Sequence, residues 1–288
     1  MKSWREWPIK KVVNLPQGLG KIKNPPNQLY YRGNWDENLF KNSLAVVGSR
    51  RMTSYGERVM ERILPDLISA GITIISGFMY GVDTLAHQLT LQFKGKTAAV
   101  FACGLDEIIP PENEPLYSEI LNSGGLVLSE YAKNVKARLW TFPLRNRIVA
   151  GLSQGVLVIE GGEKSGSLVT AKLAQEQGKT VMAVPGPVTG SQSYGTNWLI
   201  KNGAEMVVEA KDVLAKLSLH PRGVNFFHLG GVIGVEYKIL QELAGEPMGV
   251  DDLAKKLGID IVKLSEILSL MSIKGIVEEK LGKYNKVC

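Results

Sequence analysis

Cysteine is scarce in this sequence: Cys103 and Cys288 are two residues too far apart in the chain for a disulfide framework or a cysteine-built metal site. No stretch reaches the roughly eighteen unbroken apolar residues of a membrane span. The opening MKSWREWPIKK has no apolar run behind its charges, as a secretory signal would have. A reducing, cytoplasmic setting without membrane contact is therefore expected. Neither GxGxxG nor GxxxxGK[ST] occurs, which argues against a dinucleotide cofactor and against P-loop nucleotide hydrolysis. No carboxylate pair suited to Mg²⁺ accompanies the glycine turns, so no metal and no cofactor are expected. What is present is 44% hydrophobic side chains over 288 residues, enough for a sizeable core in one large domain or two unequal ones.

The net charge of +6 is unevenly spread. Residues 1–42 hold eight Lys/Arg against three Asp/Glu, residues 43–217 seventeen against sixteen, and residues 218–288 nine against nine. The first segment reads as a basic N-terminal extension, and any polyanion site in the rest must come from local clusters. From Ser43 to Leu217 short aliphatic runs alternate with helical stretches. Strands are expected at Leu44–Val47, Ile72–Ile75, Thr97–Phe101, Leu126–Leu128, Val156–Ile159, Val181–Val184 and Met206–Val208. Helices are expected at Tyr55–Ala70, Thr84–Phe93, Pro115–Asn122, Asn146–Leu152, Leu168–Gln177 and Asn197–Lys201, with Pro65 kinking the first or ending it early. Right-handed crossovers then give a Rossmann-like, mainly parallel α/β sheet domain over 43–217. The stretch HPRGVNFFHLGGVIG lies in a linker at 218–234, and three helices (Tyr237–Ala244, Val250–Leu257, Ile261–Met271) plus a hairpin suggest a winged-helix domain over 235–288.

Three glycine-containing turns and one arginine-rich segment follow predicted strands or open helices, where open α/β sheets bind anions. Gly48, Ser49, Arg50 and Arg51 combine close backbone approach with two guanidinium donors, and Thr53 or Ser54 is the candidate N-cap. Ser76 and Gly77 repeat the pattern, with Asp83 expected to cap the next helix and His87 to be a core hydrogen-bonding residue. Arg145, Asn146 and Arg147 flank an expected helix start, with Arg145 in the entering loop and Arg147 on the first turn, an arrangement suited to clamping adjacent phosphates. Lys164, Ser165, Gly166 and Ser167 form a second potential anion nest. The bland alternatives are tight turns, caps and solvated ion pairs. Several phosphate sites on one rim point to a polymer.

These motifs in this order resemble the DNA-processing protein A (DprA, also called Smf) family. The resemblance runs from roughly Pro25 to Leu214: Val47-Gly-Ser-Arg50, Ser76-Gly77, Gly81-Val-Asp83 with His87, Gly104-Leu-Asp106, Pro110 with Glu112-Asn113, Phe142-Pro-x-Arg-Asn-Arg147, Ser165-Gly-Ser167 and Pro185-Gly186, preceded by Leu29-Tyr-Tyr-Arg-Gly33. It implies a bacterial cytosolic protein, not an enzyme, that binds single-stranded DNA without sequence preference, forms a homodimer and protects incoming strands. It also implies loading of a RecA-type recombinase in natural transformation. By position Arg50, Arg145, Asn146, Arg147 and the Ser165–Ser167 loop would touch the DNA backbone, with Asn113 among the matched residues. Phe142 or Phe78 would either stack on a base or pack internally. The family commonly has an aromatic residue where Ile109 stands, and some members a lysine at Pro111, so that edge of the groove is expected to bind more weakly. The family's N-terminal helical domain is absent or reduced to the basic extension.

Two other readings compete. Phosphoribohydrolases of the lysine-decarboxylase-like group carry a catalytic glutamate in a PGGxGTxxE loop; the corresponding stretch has Val169, Thr170 and Ala171 after its second turn and lacks that acid. A duplex-DNA regulator would read bases with Ile261–Met271, but that helix has one basic residue, Lys263, and one acid, Glu266, so a protein contact suits it better.

Overall fold

Segments buried on both faces form the centre of a nine-stranded sheet: β3 (Ser43–Val47), β4 (Thr73–Ser76), β5 (Thr97–Phe101), β6 (Leu126–Ser129) and β7 (Gly155–Val158), while β8 (Thr180–Ala183), half-buried at its start, and the short β9 (Glu205–Met206) lead to one edge. The computed structural model describes residues 2–131, 133–217, 239–240, 242–243, 246–273, 276–280 and 282–286. Two N-terminal strands, β1 (Lys10–Lys11) and β2 (Tyr30–Gly33), complete the order β1-β2-β6-β5-β4-β3-β7-β8-β9. β3 through β9 pair in parallel, while β2 runs antiparallel to β6 and β1 antiparallel to β2.

The chain winds from β3 outward to β6, then returns to the other side of β3 and winds outward again from β7 to β9. That reversal makes the β3–β7 junction the topological switch point, where loops leave the sheet in opposite directions and open a crevice. Helices α5 (Thr141–Leu152) and α6 (Gly166–Glu176) pack on each other and bury Ile148, Val149, Leu152, Ala171 and Ala174 against Val47, Val100 and Val158. Helix α2 (Ser54–Ser69) buries Met60, Ile63, Leu64, Leu67 and Ile68, the stripe that a 3.6-residue period predicts, and packs against α3 (Val82–Gln92). Further α-helices among the described residues of this unit are α1 (Gln17–Gly20), α4 (Glu114–Asn122), α7 (Tyr194–Lys201) and α8 (Ala210–Lys216).

Several expectations are corrected. α2 continues four residues past Pro65, which is itself buried. The lost backbone bond costs about 3 kcal/mol, and the apolar side chains buried on both sides of the proline outweigh it at roughly 1.5–3 kcal/mol each. α5 begins at Thr141, five residues before the expected start, because Thr141 Oγ1 accepts from Arg138 N at 3.1 Å and donates to Arg138 O at 2.7 Å. Residues 1–42 are not a separate arm: β1 and β2 extend the sheet, and Trp4 stacks on Tyr117 at 5.3 Å. Their charges are partly consumed by structure, since Arg32 is buried and bonds Asp106 at 2.6 Å. The short helix α8 had no counterpart in the expected pattern.

By spatial clustering the chain divides into Met1–Val224 and Asn225–Cys288. The second unit contains helices Val250–Leu257 and Ile261–Ile273, then an antiparallel hairpin of Val277–Lys280 with Lys283–Lys286. Gly258, at φ +64°, lets the first of these helices terminate in a left-handed turn. Leu253, Leu264, Leu268, Met271 and Val277 share its core. The order of helices and hairpin is in keeping with a winged helix. The linker 218–234 and part of the expected helix Tyr237–Ala244 lie outside the described residues.

Candidate nucleic-acid interface

A cleft of about 370 Å³ occupies the switch point at the carboxyl ends of the central strands. Its walls come from three turns and one helix: Gly48–Arg51 after β3, Gly77 and Met79 after β4, Gly162 and Lys164–Ser167 after β7, and Arg145, Asn146 and Val149 of α5.

The β3 turn is held close to its neighbours. A Cβ at Gly48 would lie 2.5 Å from Val82 Cγ2 and 3.0 Å from Glu160 O. Ser49 Oγ accepts from Arg51 N at 3.0 Å, and Ser49 O accepts from Val82 N at 3.2 Å. Thr53 is the N-cap of α2, accepting from Tyr55 N and Gly56 N; the buried Glu160 accepts from Thr53 N at 2.8 Å and Thr53 Oγ1 at 2.5 Å. This anchors the loop while leaving Arg50 and Arg51 exposed, with the Arg50 guanidinium 4.9 Å from the Phe142 ring centroid.

Gly77 marks the tightest point. An added Cβ would meet Asp83 Oδ2 at 2.2 Å and Arg145 Nη2 at 2.6 Å, so only hydrogen fits between them. Beneath it lies His87, fully buried, with Nε2 2.7 Å from Gly77 O and Nδ1 2.7 Å from Thr97 Oγ1. A carbonyl only accepts, which assigns the proton to Nε2. Burial drives the imidazole pKa down to about 4, against the opposing pull of the Gly77 bond. His87 therefore supports the turn as a neutral strut, as the sequence reading expected.

Arg145 forms the cleft floor. It is 5% exposed, Nε donates to Asn146 Oδ1 at 3.3 Å and Nη1 donates to Val100 O; Nη2 has no hydrogen-bond partner among the described residues. Burial lowers its pKa while Asp83 counteracts that. The Asp83 pKa is raised by burial and pulled back first by Arg145. Across the cleft Ser165 caps α6, accepting from Ser167 N at 3.3 Å and sharing a 2.7 Å hydroxyl contact with Ser167. Lys164 is exposed and has no ion pair among the described residues. Arg50, Arg51, Arg145 and Lys164 thus face one acid, Asp83, among the described residues lining the cleft. An incoming anion meets a buried guanidinium donor and the helix dipole of α6 together.

Three expected site residues lie elsewhere. Arg147 sits on the same helix as Arg145, about 200° around it at 100° per residue, and is committed to protein. Its Nη2 bonds Glu130 Oε1 at 2.6 Å, Nε bonds Asn24 O at 2.8 Å and Nη1 bonds Leu144 O at 3.0 Å. Asn113 is buried and donates to Thr84 Oγ1 at 2.8 Å and Phe78 O at 3.4 Å. Ser76 is buried and donates to Val46 O at 2.7 Å. Asp83 does not cap: α3 starts at Val82 after Gly81, and Asp83 accepts from Met79 N at 3.3 Å. Phe78 is 2% exposed and packs on Phe101 at 4.8 Å, so it is a core residue. Met79, Thr170 and Gln192 line the cleft without a signal in the sequence; Gln192 O accepts from Gly161 N at 2.7 Å, which brings the loop after β8 to the rim.

A doubly wound sheet with a cationic, glycine-built cleft at its switch point defines an α/β protein of the class whose strand-end clefts suit anions. Comparison with known proteins makes the class specific: the profile of DNA recombination-mediator protein A matches residues 9–218. Protein Smf of Escherichia coli is 43% identical over 219 residues, covering 74% of this chain and 58% of that protein. The crystal structure of DNA processing protein A from Streptococcus pneumoniae superposes with a TM-score of 0.67 at 37% identity, covering 78% of this chain and 77% of that one. DNA processing protein A from Helicobacter pylori, a structure described for its single-stranded DNA binding mode, gives 0.67 at 32% identity and covers 76% and 100%. The chain belongs to the DNA recombination-mediator protein A (DprA/Smf) family. It spans little more than half of the length of the Smf proteins of Escherichia coli and Synechocystis, at 58% and 53%.

Proposed function

We propose that this chain binds single-stranded DNA, without sequence preference, by seating consecutive backbone phosphates in the switch-point cleft. The observation that carries the reading is the convergence of three strand-end turns around the spare donor of Arg145 in one open trough. Phosphate contacts of this kind position a strand and carry no base information, so the binding is sequence-tolerant. Gly48–Arg51 and Lys164–Ser167 supply the flanking donors, and Asn146 the polar contact nearest the floor. Phe142, half-buried under Arg50, serves the cleft as a support for that guanidinium.

Consistent with the family's description as a recombination mediator, the bound strand is protected and handed to a RecA-type recombinase in the cytoplasm during natural transformation or recombination, with no chemistry on the DNA itself. No helix among the described residues is long and apolar enough to cross a membrane. Exposed Tyr194, Trp198, Met206 and Val208 on α7 and beside β9 support a homodimer face on this domain. In the second unit, Ile261, Val262, Leu270 and Ile273 are exposed on the helix that a duplex reader would insert, which favours a protein contact there.

Oligo-dT binding across a salt series tests the central claim. Each phosphate contact removed should flatten the log–log slope by about 0.7, so Arg50→Ala combined with Lys164→Ala should lower it by about 1.4. An unchanged slope places the strand elsewhere.

A further inference from the structure

The cleft draws its walls from α5 and the loops after β3, β4 and β7, and a second feature lies beside it along the rim. The segment Lys133–Trp140 joins β6 to α5 and passes over the carboxyl ends of β5 and β6. Its course is pinned: Gly104 N donates to Val135 O at 2.7 Å and Asp106 N to Lys133 O at 3.2 Å, and Asp106 is itself held by Arg32. Trp140, immediately before α5, meets Tyr131 edge-on with centroids 6.4 Å apart and interplanar angle 76°, and remains 55% exposed. Leu139 beside it is 92% exposed.

From Tyr131 to Arg147 the sequence contains no acid. Lys133 is engaged with Asp106 at 3.4 Å and Arg147 with Glu130, but Lys136 and Arg138 are exposed and have no ion-pair partner among the described residues. Two uncommitted cations thus lie four and two residues before an indole that rests edge-on against Tyr131 and keeps over half of its surface in water. An aromatic held open beside unpaired cations suits a ligand that is at once polyanionic and flat-faced, which describes a nucleic-acid strand whose bases are unpaired.

Resting on the proposed strand-binding role of the cleft, we infer that Lys136, Arg138 and Trp140 form a second contact for the same single strand, with Trp140 stacking on a base beyond the phosphates seated at the switch point. Trp140 is the N-cap of α5, two residues before the Phe142 that lies against Arg50 and five before Arg145, so it stands past the seated phosphates and is reached by a strand longer than the cleft needs. Lys136 and Arg138, on the segment that leads into Trp140, supply the phosphate contacts next to the stacked base. Affinity therefore grows in a step with strand length, and the step belongs to this segment.

The test uses the full chain and two probes, oligo-dT of about four and about sixteen nucleotides, within the range of single-strand site sizes. Trp140→Ala should weaken the longer probe about tenfold, the lower part of the range for loss of one base stack, and leave the shorter unchanged. Trp140→Phe should keep most of the affinity while removing the part of the tryptophan fluorescence quench that appears only with the longer probe. Equal binding of the longer probe by wild type and Trp140→Ala overturns the inference, as does an equal loss on both probes, which would mean that Trp140 acts through α5 on the cleft. Arg50→Ala separates this from the parent reading: loss on both probes upholds the cleft as the primary site, whereas no loss on either sinks the cleft and this inference with it.

Discussion

Arg32 and Arg145 are equally buried, each 5% exposed, yet their surroundings differ in kind. At the N-terminal edge Arg32 is enclosed by Asp106, Leu105 O and Tyr117 Oη, with the Trp4 ring 4.8 Å from its guanidinium carbon. At the switch point Arg145 has a neighbouring carboxylate, Asp83, that shares no ion pair within bonding range, and one terminal nitrogen without a hydrogen-bond partner among the described residues. The first arrangement neutralises a buried charge inside the fold; the second leaves part of the neutralisation to whatever enters the cleft. Burial alone does not distinguish a structural arginine from a binding one. An ion pair does: Arg32 has one with Asp106, although its Nε is buried without a hydrogen-bond partner, and Arg145 has none among the described residues.

The largest effect expected from this contrast is on stability. Arg32→Met leaves Asp106 with only the exposed Lys133 as a partner and should cost about 3 kcal/mol in urea unfolding, at the low end for breaking a buried pair, with the salt slope of DNA binding unaltered. A cost below about 1 kcal/mol would erase the distinction. Next comes acid. Because the folded His87 pKa is about 4 against an ordinary 6.5, the unfolded chain takes up the proton first as pH falls. Stability is full above about 6.5 and drains as pH drops towards 4, with roughly 2 kcal/mol lost between pH 7 and pH 5. His87→Gln should flatten that part of the profile; an unchanged profile assigns the acid lability to other groups.

A smaller change is expected at the cleft floor. Arg145→Met should weaken oligo-dT binding about tenfold, or about 1.4 kcal/mol, and cost less than half the stability lost in Arg32→Met; the opposite ranking would make Arg145 a structural residue. The smallest effect concerns self-association: Trp198→Ala should shift the dimer constant in light scattering by a few fold, roughly 1 kcal/mol for one exposed contact, and a monomeric wild type would remove that face from consideration.

The parallel sheet and its cleft were legible because each strand end carries its own punctuation: an aliphatic run, then Gly48-Ser49, Gly77 or Ser165-Gly166. Arg147 was misplaced for a local reason. Starting α5 at Asn146 puts both arginines outside a helix interior, whereas starting it at Thr141 sends one to the cleft and the other to Glu130. That start rests on a Thr141 hydroxyl bond, a weak signal beside Pro143. Asn113 was counted with the binding residues by correspondence of motif, and only its donors to Thr84 and Phe78 reveal a loop-bracing role. The N-terminal segment was hidden by its charge: Tyr30–Gly33 has the aromatic, glycine-bounded look of a strand, but its partner is β6, nearly a hundred residues away.

The two margins of the sheet are unlike. At one, β1 is only Lys10–Lys11, both side chains exposed, a short and charged border that discourages another strand from adding. At the other, β9 presents Met206 beside an apolar helix. Copies that meet across the second margin by a two-fold axis use it up on both sides, and the first offers no place for a third. For the proposed dimer, growth by strand addition would therefore stop at two copies.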